Sequence, residues 1–517
     1  MSSEEPRKPA RSQRFLVNVL WIWLGFAVSI VAGLVLPPMV TRNLGDAGYG
    51  VWSLIFSFIG YYGLVDFGLR SAVVRFAAEY HATNDQEKIN RLFSTMMLHF
   101  SWLMGAMMVV TVVLSRFSDR FIHDTGQYQS QIPWLVIIVG VSTAFGLPGT
   151  VLSGIVEGYQ RFDLAGRVSL ISFGSRYAGV MVLLTMGYGL VEMALCVLAS
   201  VLLYVALYFW YLRRLQPRPR FGFRYVDRSV LREAFRYGVH TFSAGLASRV
   251  LEQGSPVMIG YYMPAMFVGY FNFPVRLLAY AAEPLSRVGN AVQPQVTELI
   301  AKGEMGAVAQ LGIYVNRYCY ALFAPFGIFL LVYGGDLLGV WMGRTFQVES
   351  TPLLAPMMVA TGIATAGQFS SSSMLFGLSK HQRFAYGQLV EAALLVVLSA
   401  LAIPAYGIFG AACVSAGLML LVRGIYTPWL VCQYLDYPLA RYMKSIYLAP
   451  TLTAIPVYLV LLWLKGVLPG SGWAELVAAG AVASVLFFGA AYFTSLQPEH
   501  RAIVKRMAGR FLPGPRE

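Results

Sequence analysis

Charge is what this 517-residue chain has least of. Asp, Glu, Lys and Arg together make up 12% of it, against roughly 25% in an ordinary soluble domain. A surface that poor in charge cannot keep a globular protein of this length in water, so a soluble enzyme is excluded. Cysteine is scarce as well. Cys196, Cys319, Cys413 and Cys432 lie far apart, without the spacing of a zinc pair or a disulfide framework, and each reads as a small buried apolar residue. His81, His99, His123, His240, His381 and His500 are scattered, so no metal site is expected. No G-x-x-x-x-G-K-[ST] string occurs, which removes ATP binding by that loop; no cofactor is expected.

In place of charge there is apolar bulk: 57% of the chain is hydrophobic and its mean hydropathy is +0.60. A helix needs about 20 mostly apolar residues to cross a bilayer, and about fourteen stretches qualify. The first two run over 16–40 and 50–69, and a polar, amphipathic segment over 79–90 follows. Further spans start near Ser94, Ile132, Val168, Leu190, Val239, Phe267, Leu311, Leu353, Gln388, Tyr406, Ile446 and Ala474.

The net charge of +14 tests that reading, because cytoplasmic loops collect Lys and Arg. With the N-terminus inside, the loops and tails on that side hold 28 of the 39 basic residues and the opposite side five, Arg42, Arg116, Arg120, Arg344 and Lys465. The asymmetry survives every crossing, so both termini are expected in the cytoplasm. The densest group, over 213–236, reads as a topogenic loop near anionic lipid rather than as a nucleic-acid surface.

Three landmarks recur at one spacing. Gly50 and Gly269, Glu79 and Glu298, and Gly158 and Gly377 are each 219 residues apart. The tripeptide of Gln160, Arg161 and Phe162 returns at Gln382, Arg383 and Phe384, displaced by a short insertion. Six spans per repeat is an even number, so the halves are parallel in topology. The expected fold is an all-α integral membrane protein: a cytoplasmic tail (1–14), a six-helix lobe (15–212), a basic linker (213–236) and a second six-helix lobe (237–431). A C-terminal helix pair (432–496) and a cytoplasmic tail (497–517) complete it.

Six arginines fall within or at the edge of the spans: Arg176, Arg249, Arg276, Arg287, Arg317 and Arg423. Each costs about 2.5–3.5 kcal/mol at a helix centre. Arg317 and Arg423 lie within reach of the cytoplasmic headgroups and read as snorkelling side chains. Arg287 has Glu283 four residues earlier, Arg249 has Glu252 three residues later, and Asp66 with Arg70 forms another pair of this kind. Arg176 and Arg276 have no acid within one turn. Pro148, Pro256, Pro274 and Pro284 lie in spans and permit kinks. Residues 370–373, all serine, with Gln368 before them, offer either a hydroxyl face for sugar or water, or close helix packing.

The stretch LVLPPMVTRNLGDAGYGVWSLIFSFIGYYGLVDFGLRSAVVRFAAEY, with GYFNFPVRL, VQPQVTEL, LLGVWMGRTFQVESTPLLAPM, GYQRF and GLSKHQRF, resembles the polysaccharide transporter, or oligosaccharide flippase, family. That family belongs to the superfamily of multidrug exporters and lipid II flippases. The likeness extends to about residue 430. It implies two lobes around a cavity that opens alternately to each side of the bacterial inner membrane. The cavity would carry an undecaprenyl-pyrophosphate-linked oligosaccharide outward, driven by a proton gradient, a sodium gradient or the membrane potential. The C-terminal pair is similar to that of lipid-linked substrate flippases.

On that resemblance Arg176, Arg249 and Arg276 are candidate cavity cations, since guanidinium offers forked donors to a pyrophosphate. Asp66 and Glu252 are candidate coupling or ion-pair acids, with Glu391 behind them; Arg70, Glu283, Arg287 and Arg317 are secondary. The implied partners are the polyprenyl-pyrophosphate-linked oligosaccharide, membrane lipid and polysaccharide-assembly proteins. A drug or cation antiporter and a lipid II flippase share the expected fold. A membrane polymerase or ligase of the same pathway would need a large outer catalytic loop, and the outer loops at 115–131 and 334–351 are short.

Overall fold

The computed structural model describes residues 11–62, 66–118, 125–215 and 218–502. The tail residues Arg7, Lys8, Lys505, Arg506, Arg510 and Arg516, and His123, lie outside that set. Among the described residues there is no strand.

Residues 1–269 form one compact unit and 270–517 another. The first holds α1 (Arg11–Tyr62), α2 (Leu69–Ala82), α3 (Gln86–Arg116), α4 (Ile132–Gly158), α5 (Phe162–Thr185), α6 (Leu190–Leu212) and α7 (Arg228–Tyr262). The second takes in α8 (Met266–Ala301) from Tyr270 onward, then α9 (Met305–Met342), α10 (Arg344–Ala360), α11 (Phe369–Gly377), α12 (His381–Met419), α13 (Thr427–Leu435), α14 (Leu439–Leu464) and α15 (Trp473–Thr494). A π-helical turn, Thr361–Thr365, and a 3-10 turn, Ala366–Gln368, join α10 to α11; a second π segment, Leu420–Tyr426, joins α12 to α13.

Every expected span start falls in a helix, and among the described residues ten helical stretches are long and apolar enough to cross a membrane. The difference from fourteen has local causes. The first two spans lie in α1 on either side of Gly45 (φ 71°), and those starting near Gln388 and Tyr406 lie in α12 on either side of Gly407 (φ 58°). Among the described residues α7 and α8 are absent from the ten; Arg249 and Glu252 lie along α7, and Arg276 and Glu283 along α8. The polar segment at 79–90 is two pieces: α2 ends at Ala82, Asn84 turns the chain at φ 54°, and the Asp85 carboxylate caps α3 by accepting the Lys88 N–H at 3.0 Å. The outer loop expected at 334–351 is a single residue, Gly343 (φ 104°), between α9 and α10.

In the first unit α4 is central, packed by α2, α3 and α6. Leu69, Val73 and Phe76 meet Leu92, Met96 and Phe100 there, and Leu147, Val151 and Ile155 close the core. In the second, α9 is central, against α10, α14 and α15. The outward apolar faces are bare: Val109, Val112 and Val113 of α3, and Val396, Val397 and Leu401 of α12, are exposed. In water such faces would aggregate; in a bilayer they meet lipid. Cys319 and Cys432 are buried as expected, but Cys196 is half-buried and Cys413 is exposed, since a lipid-facing position tolerates a thiol as well as a core does.

The 219-residue spacing is written into the backbone. α2 and α8 end, α3 and α9 begin, α4 and α11 end, and α5 and α12 begin, each pair 219 residues apart. The left-handed residues repeat likewise: Asn84 (φ 54°) with Gly303 (φ 76°), and Gln160 (φ 56°) with Ser379 (φ 58°). Contacts repeat too. A Cβ on Gly158 would lie 2.5 Å from the Ala77 Cβ, and one on Gly377 would lie 2.7 Å from Cγ1 of Val296, the residue 219 after Ala77. The returning tripeptide is the exception. Because Gln160 matches Ser379, Gln382, Arg383 and Phe384 fall inside the first turn of α12, with no insertion before them.

Candidate functional site

α7 and α8, two long helices outside the apolar set, carry five of the candidate residues: Arg249 and Glu252 on α7, and Arg276, Glu283 and Arg287 on α8. Charge is kept in a spanning segment only where a partner, water or an anion meets it. Arg249 pairs with Glu252 at 3.2 Å, as their spacing predicts, with both side chains about half exposed (45% and 56%). α7 runs beside α1 and α2; Gly60 packs on the Gln253 side chain and Phe67 on the ring of Phe242.

Beside that face the chain breaks between α1 and α2. Phe67 (φ 48°) and Gly68 (φ 72°) are both left-handed, and Asp66 Oδ1 accepts the Gly68 N–H at 2.9 Å. Asp66 therefore turns the backbone into α2 rather than pairing with Arg70. The expected Asp66–Arg70 pair is replaced by one that sequence spacing hides: Arg70 Nη2 reaches Glu157 Oε1 at 2.6 Å, from the start of α2 to the end of α4. The nearest basic residue along the chain from Glu157, Arg161, is taken by Asp163 at 2.9 Å. Asp66 also feels the charges of Arg70 and Arg249. The first unit thus gathers Asp66, Arg70, Glu157, Arg249 and Glu252 around one backbone break, acids and bases alternating.

Arg176 stands apart on α5, with its guanidinium 5.1 Å from the Phe173 ring centroid and 5.0 Å from that of Tyr177. It makes no ion pair among the described residues, and the aromatic faces supply the attraction a carboxylate would otherwise give. Arg276 is exposed on α8, without a hydrogen bond or ion pair among the described residues. Glu283 is exposed on the same helix, and the Arg287 side chain lies outside the described set.

The two arginines read as snorkelling also hold protein partners. Arg317 Nε donates to the Ser445 carbonyl of α14 at 2.6 Å. Arg423, in the π segment after α12, pairs with Glu391 at 3.3 Å, and Glu391 is only 2% exposed. The serines at 370–373 resolve in favour of packing. Asn316 Oδ1 accepts from the Ser370 hydroxyl at 2.8 Å, and Asn316 Nδ2 donates to Ser371 Oγ and Tyr442 Oη, each at 3.1 Å. Gln368 Nε2 donates to Tyr447 Oη at 2.8 Å, and Tyr447 donates to the Ile363 carbonyl at 2.7 Å. Ser370, Ser371 and Asn316 have no exposed surface. This dry network ties α14 to the point where α10 passes through its π and 3-10 turns. Pro148, Pro256, Pro274 and Pro284 lie inside helices as expected, and no three His, Cys, Asp or Glu side chains converge among the described residues.

Known proteins share this architecture. A lipid II flippase, MurJ, in an inward closed conformation superposes with a TM-score of 0.73 over 95% of this chain and 100% of its own, at 10% identity. An inward-facing multidrug-resistance MATE transporter superposes with a TM-score of 0.69 over 81% of this chain and 98% of its own, at 12% identity. In sequence the chain is 22% identical over 515 residues to the "Uncharacterized membrane protein EpsK" of Bacillus subtilis, covering 95% of this chain and 97% of that protein. It is 21% identical over 421 residues to the "Putative O-antigen transporter" of Shigella flexneri, covering 80% and 96%. Residues 15–298 match the family described as polysaccharide biosynthesis protein. With more than half of its length in that match, and a helical duplication to go with it, this multi-pass membrane chain belongs to the polysaccharide biosynthesis protein family.

Proposed function

We propose that this protein is a flippase that moves a polyprenyl-pyrophosphate-linked oligosaccharide across the bacterial inner membrane by alternating access, with both termini in the cytoplasm. The observation that carries the reading is the placement of Arg249 on α7 and Arg276 on α8, within helices long enough to span a bilayer. A protein that moves only apolar cargo has no use for arginine at a cost of about 2.5–3.5 kcal/mol each; a pyrophosphate does. The lobes would be 15–212 and 237–431, with 213–236 linking them and 432–496 added behind. Arg176, Arg249 and Arg276 are assigned to the diphosphate. Asp66 and Glu252 are assigned to coupling, because Asp66 lies at a backbone break within the field of Arg249 and Glu252 pairs with Arg249. The name of the Shigella flexneri relative and the polysaccharide family both point to a glycan as cargo.

A lipid II flippase is the second reading, favoured by the 95% of the chain that superposes on MurJ, against 81% on the MATE transporter. Both readings share a pyrophosphate and differ in the glycan. The deciding experiment reconstitutes the protein in liposomes with a polyprenyl-pyrophosphate oligosaccharide, lipid II and a cationic dye in separate arms. Movement of the oligosaccharide carrier supports the proposal, movement of lipid II alone favours the second reading, and movement of dye alone refutes both.

A further inference from the structure

The basic linker is strapped to the first unit. One face of α3 holds its backbone: Gln86 Nε2 donates to the Arg218 carbonyl at 3.0 Å, Asn90 Oδ1 accepts the Arg220 N–H at 2.7 Å, and Ser94 Oγ accepts the Gly222 N–H at 3.1 Å. At the next residue, Thr95 Oγ1 accepts the Asp227 N–H at 2.9 Å. Positions 86, 90 and 94 recur every four residues, so they form one helical ridge. Between this strap and the last turn of α6 lies a recess of about 880 Å³. Arg213, Arg218 and Arg220 rim it, Gln86 and Asn90 line its polar side, and Phe209 and Phe221 line its apolar side.

Among the described residues the three arginines lack acidic partners, and the Arg213 guanidinium lies 4.3 Å from the Phe209 ring centroid. The acids nearby are engaged elsewhere: Asp85 with Lys88 at 3.3 Å, and Glu87 and Asp227 both with Arg91, at 2.6 and 3.2 Å. None of Arg213, Arg218 and Arg220 has a carboxylate partner among the described residues, and all three are exposed. Phe221 and Phe223 on the strap and Phe209 and Trp210 on α6 are exposed as well, so the recess opens where a spanning helix ends, at the level of bilayer headgroups.

We propose that this recess binds the phosphate of an anionic glycerophospholipid, with Arg213, Arg218 and Arg220 holding the headgroup and Phe209 and Phe221 contacting the glycerol and first acyl carbons. The apolar wall favours a lipid over free phosphate, which has no part to place against it. Only the assignment of the recess to the cytoplasmic leaflet rests on the orientation proposed above; the site itself does not.

The test uses the delipidated full-length protein and native mass spectrometry, with phosphatidylglycerol, phosphatidylcholine and inorganic phosphate as probes. Phosphatidylglycerol is expected to bind at least about tenfold more tightly than phosphatidylcholine, and millimolar inorganic phosphate is expected not to displace it. The triple variant R213Q/R218Q/R220Q is expected to lose that preference. R228Q/R232Q/R236Q, which removes the same charge from the same connection outside the recess, is expected to keep it. Equal binding of the two lipids by the unaltered protein would overturn the proposal without recourse to any variant. So would equal loss in the two triple variants, which would mean diffuse attraction, or displacement by inorganic phosphate, which would mean a free-anion site.

Discussion

Gly50 and Gly269, 219 residues apart, touch each other: a Cβ built on Gly269 would lie 3.6 Å from the Gly50 Cα and 2.8 Å from Cδ1 of Tyr49. The approach demands a residue without a side chain at both places, and more strictly at Gly50, where a Cβ would come 2.2 Å from the Ala265 carbonyl oxygen. Backbone cannot step aside as a ring can. Gly50→Ala is therefore expected to cost more than Gly269→Ala, with overpacking of about 1–3 kcal/mol at the former. Thermal unfolding of the two purified variants, compared by midpoint, checks the order.

Arg70 and Glu157 form the ion pair that fixes α2 to the end of α4. Because the Arg70 side chain is 42% exposed, its coupling is expected to be about 1 kcal/mol or less. Either single reversal, Arg70→Glu or Glu157→Arg, should lower stability and the double reversal should recover most of the loss. A double-mutant cycle measures this; additive losses would mean the two side chains act independently.

The pair of Arg423 and Glu391 should behave asymmetrically. Glu391 is almost wholly buried while Arg423 is 30% exposed along its side chain. Arg423→Ala strands a buried carboxylate and is expected to cost about 3–5 kcal/mol, whereas Glu391→Gln leaves a cation that can still reach water and should cost much less. Adding Glu391→Gln to Arg423→Ala should restore stability, which denaturation of the three variants would read out directly.

Replacing Arg176, Arg249 and Arg276 singly by Ala tests the transport assignment. Each variant is expected to insert normally and to reduce surface polysaccharide. Full polymer display by all three would show that these cations do not meet the substrate.

The hydropathy of the chain announced a helical membrane protein, and the spacing of Gly158 and Gly377 announced the duplication, because both are properties that a sequence carries locally or periodically. The pairings were far less legible. Arg249 with Glu252 could be read because both lie within one turn of one helix. Glu157, 87 residues from Arg70, and Ser445, 128 residues from Arg317, meet their partners only after the helices pack. The pairing of Asp66 with Arg70 was misjudged for a different reason: two left-handed residues follow Asp66, and its Oδ1 accepts from the backbone that they expose. The serines near 371 suggested two uses, and only the arrival of Tyr442 from α14 decides between them.

Asn316→Leu is expected to be among the most damaging conservative-volume changes in the second unit. It deletes the acceptor for Ser370 and the donor for Ser371 and Tyr442 in a place with no exposed surface, at about 1–3 kcal/mol for each polar atom left bare. Tyr442→Phe should cost less, since Ser371 still accepts from Asn316. Expression level and unfolding midpoint rank the two.

The network around Asn316 also makes the second unit depend on α14. Tyr442 and Tyr447 come from that helix, and each accepts one amide N–H, from Asn316 and Gln368 respectively. Without α14 those two N–H groups would be unmet among apolar neighbours, where bare donors are severely penalised. Two buried amides outside α14 thus register whether that helix is in place.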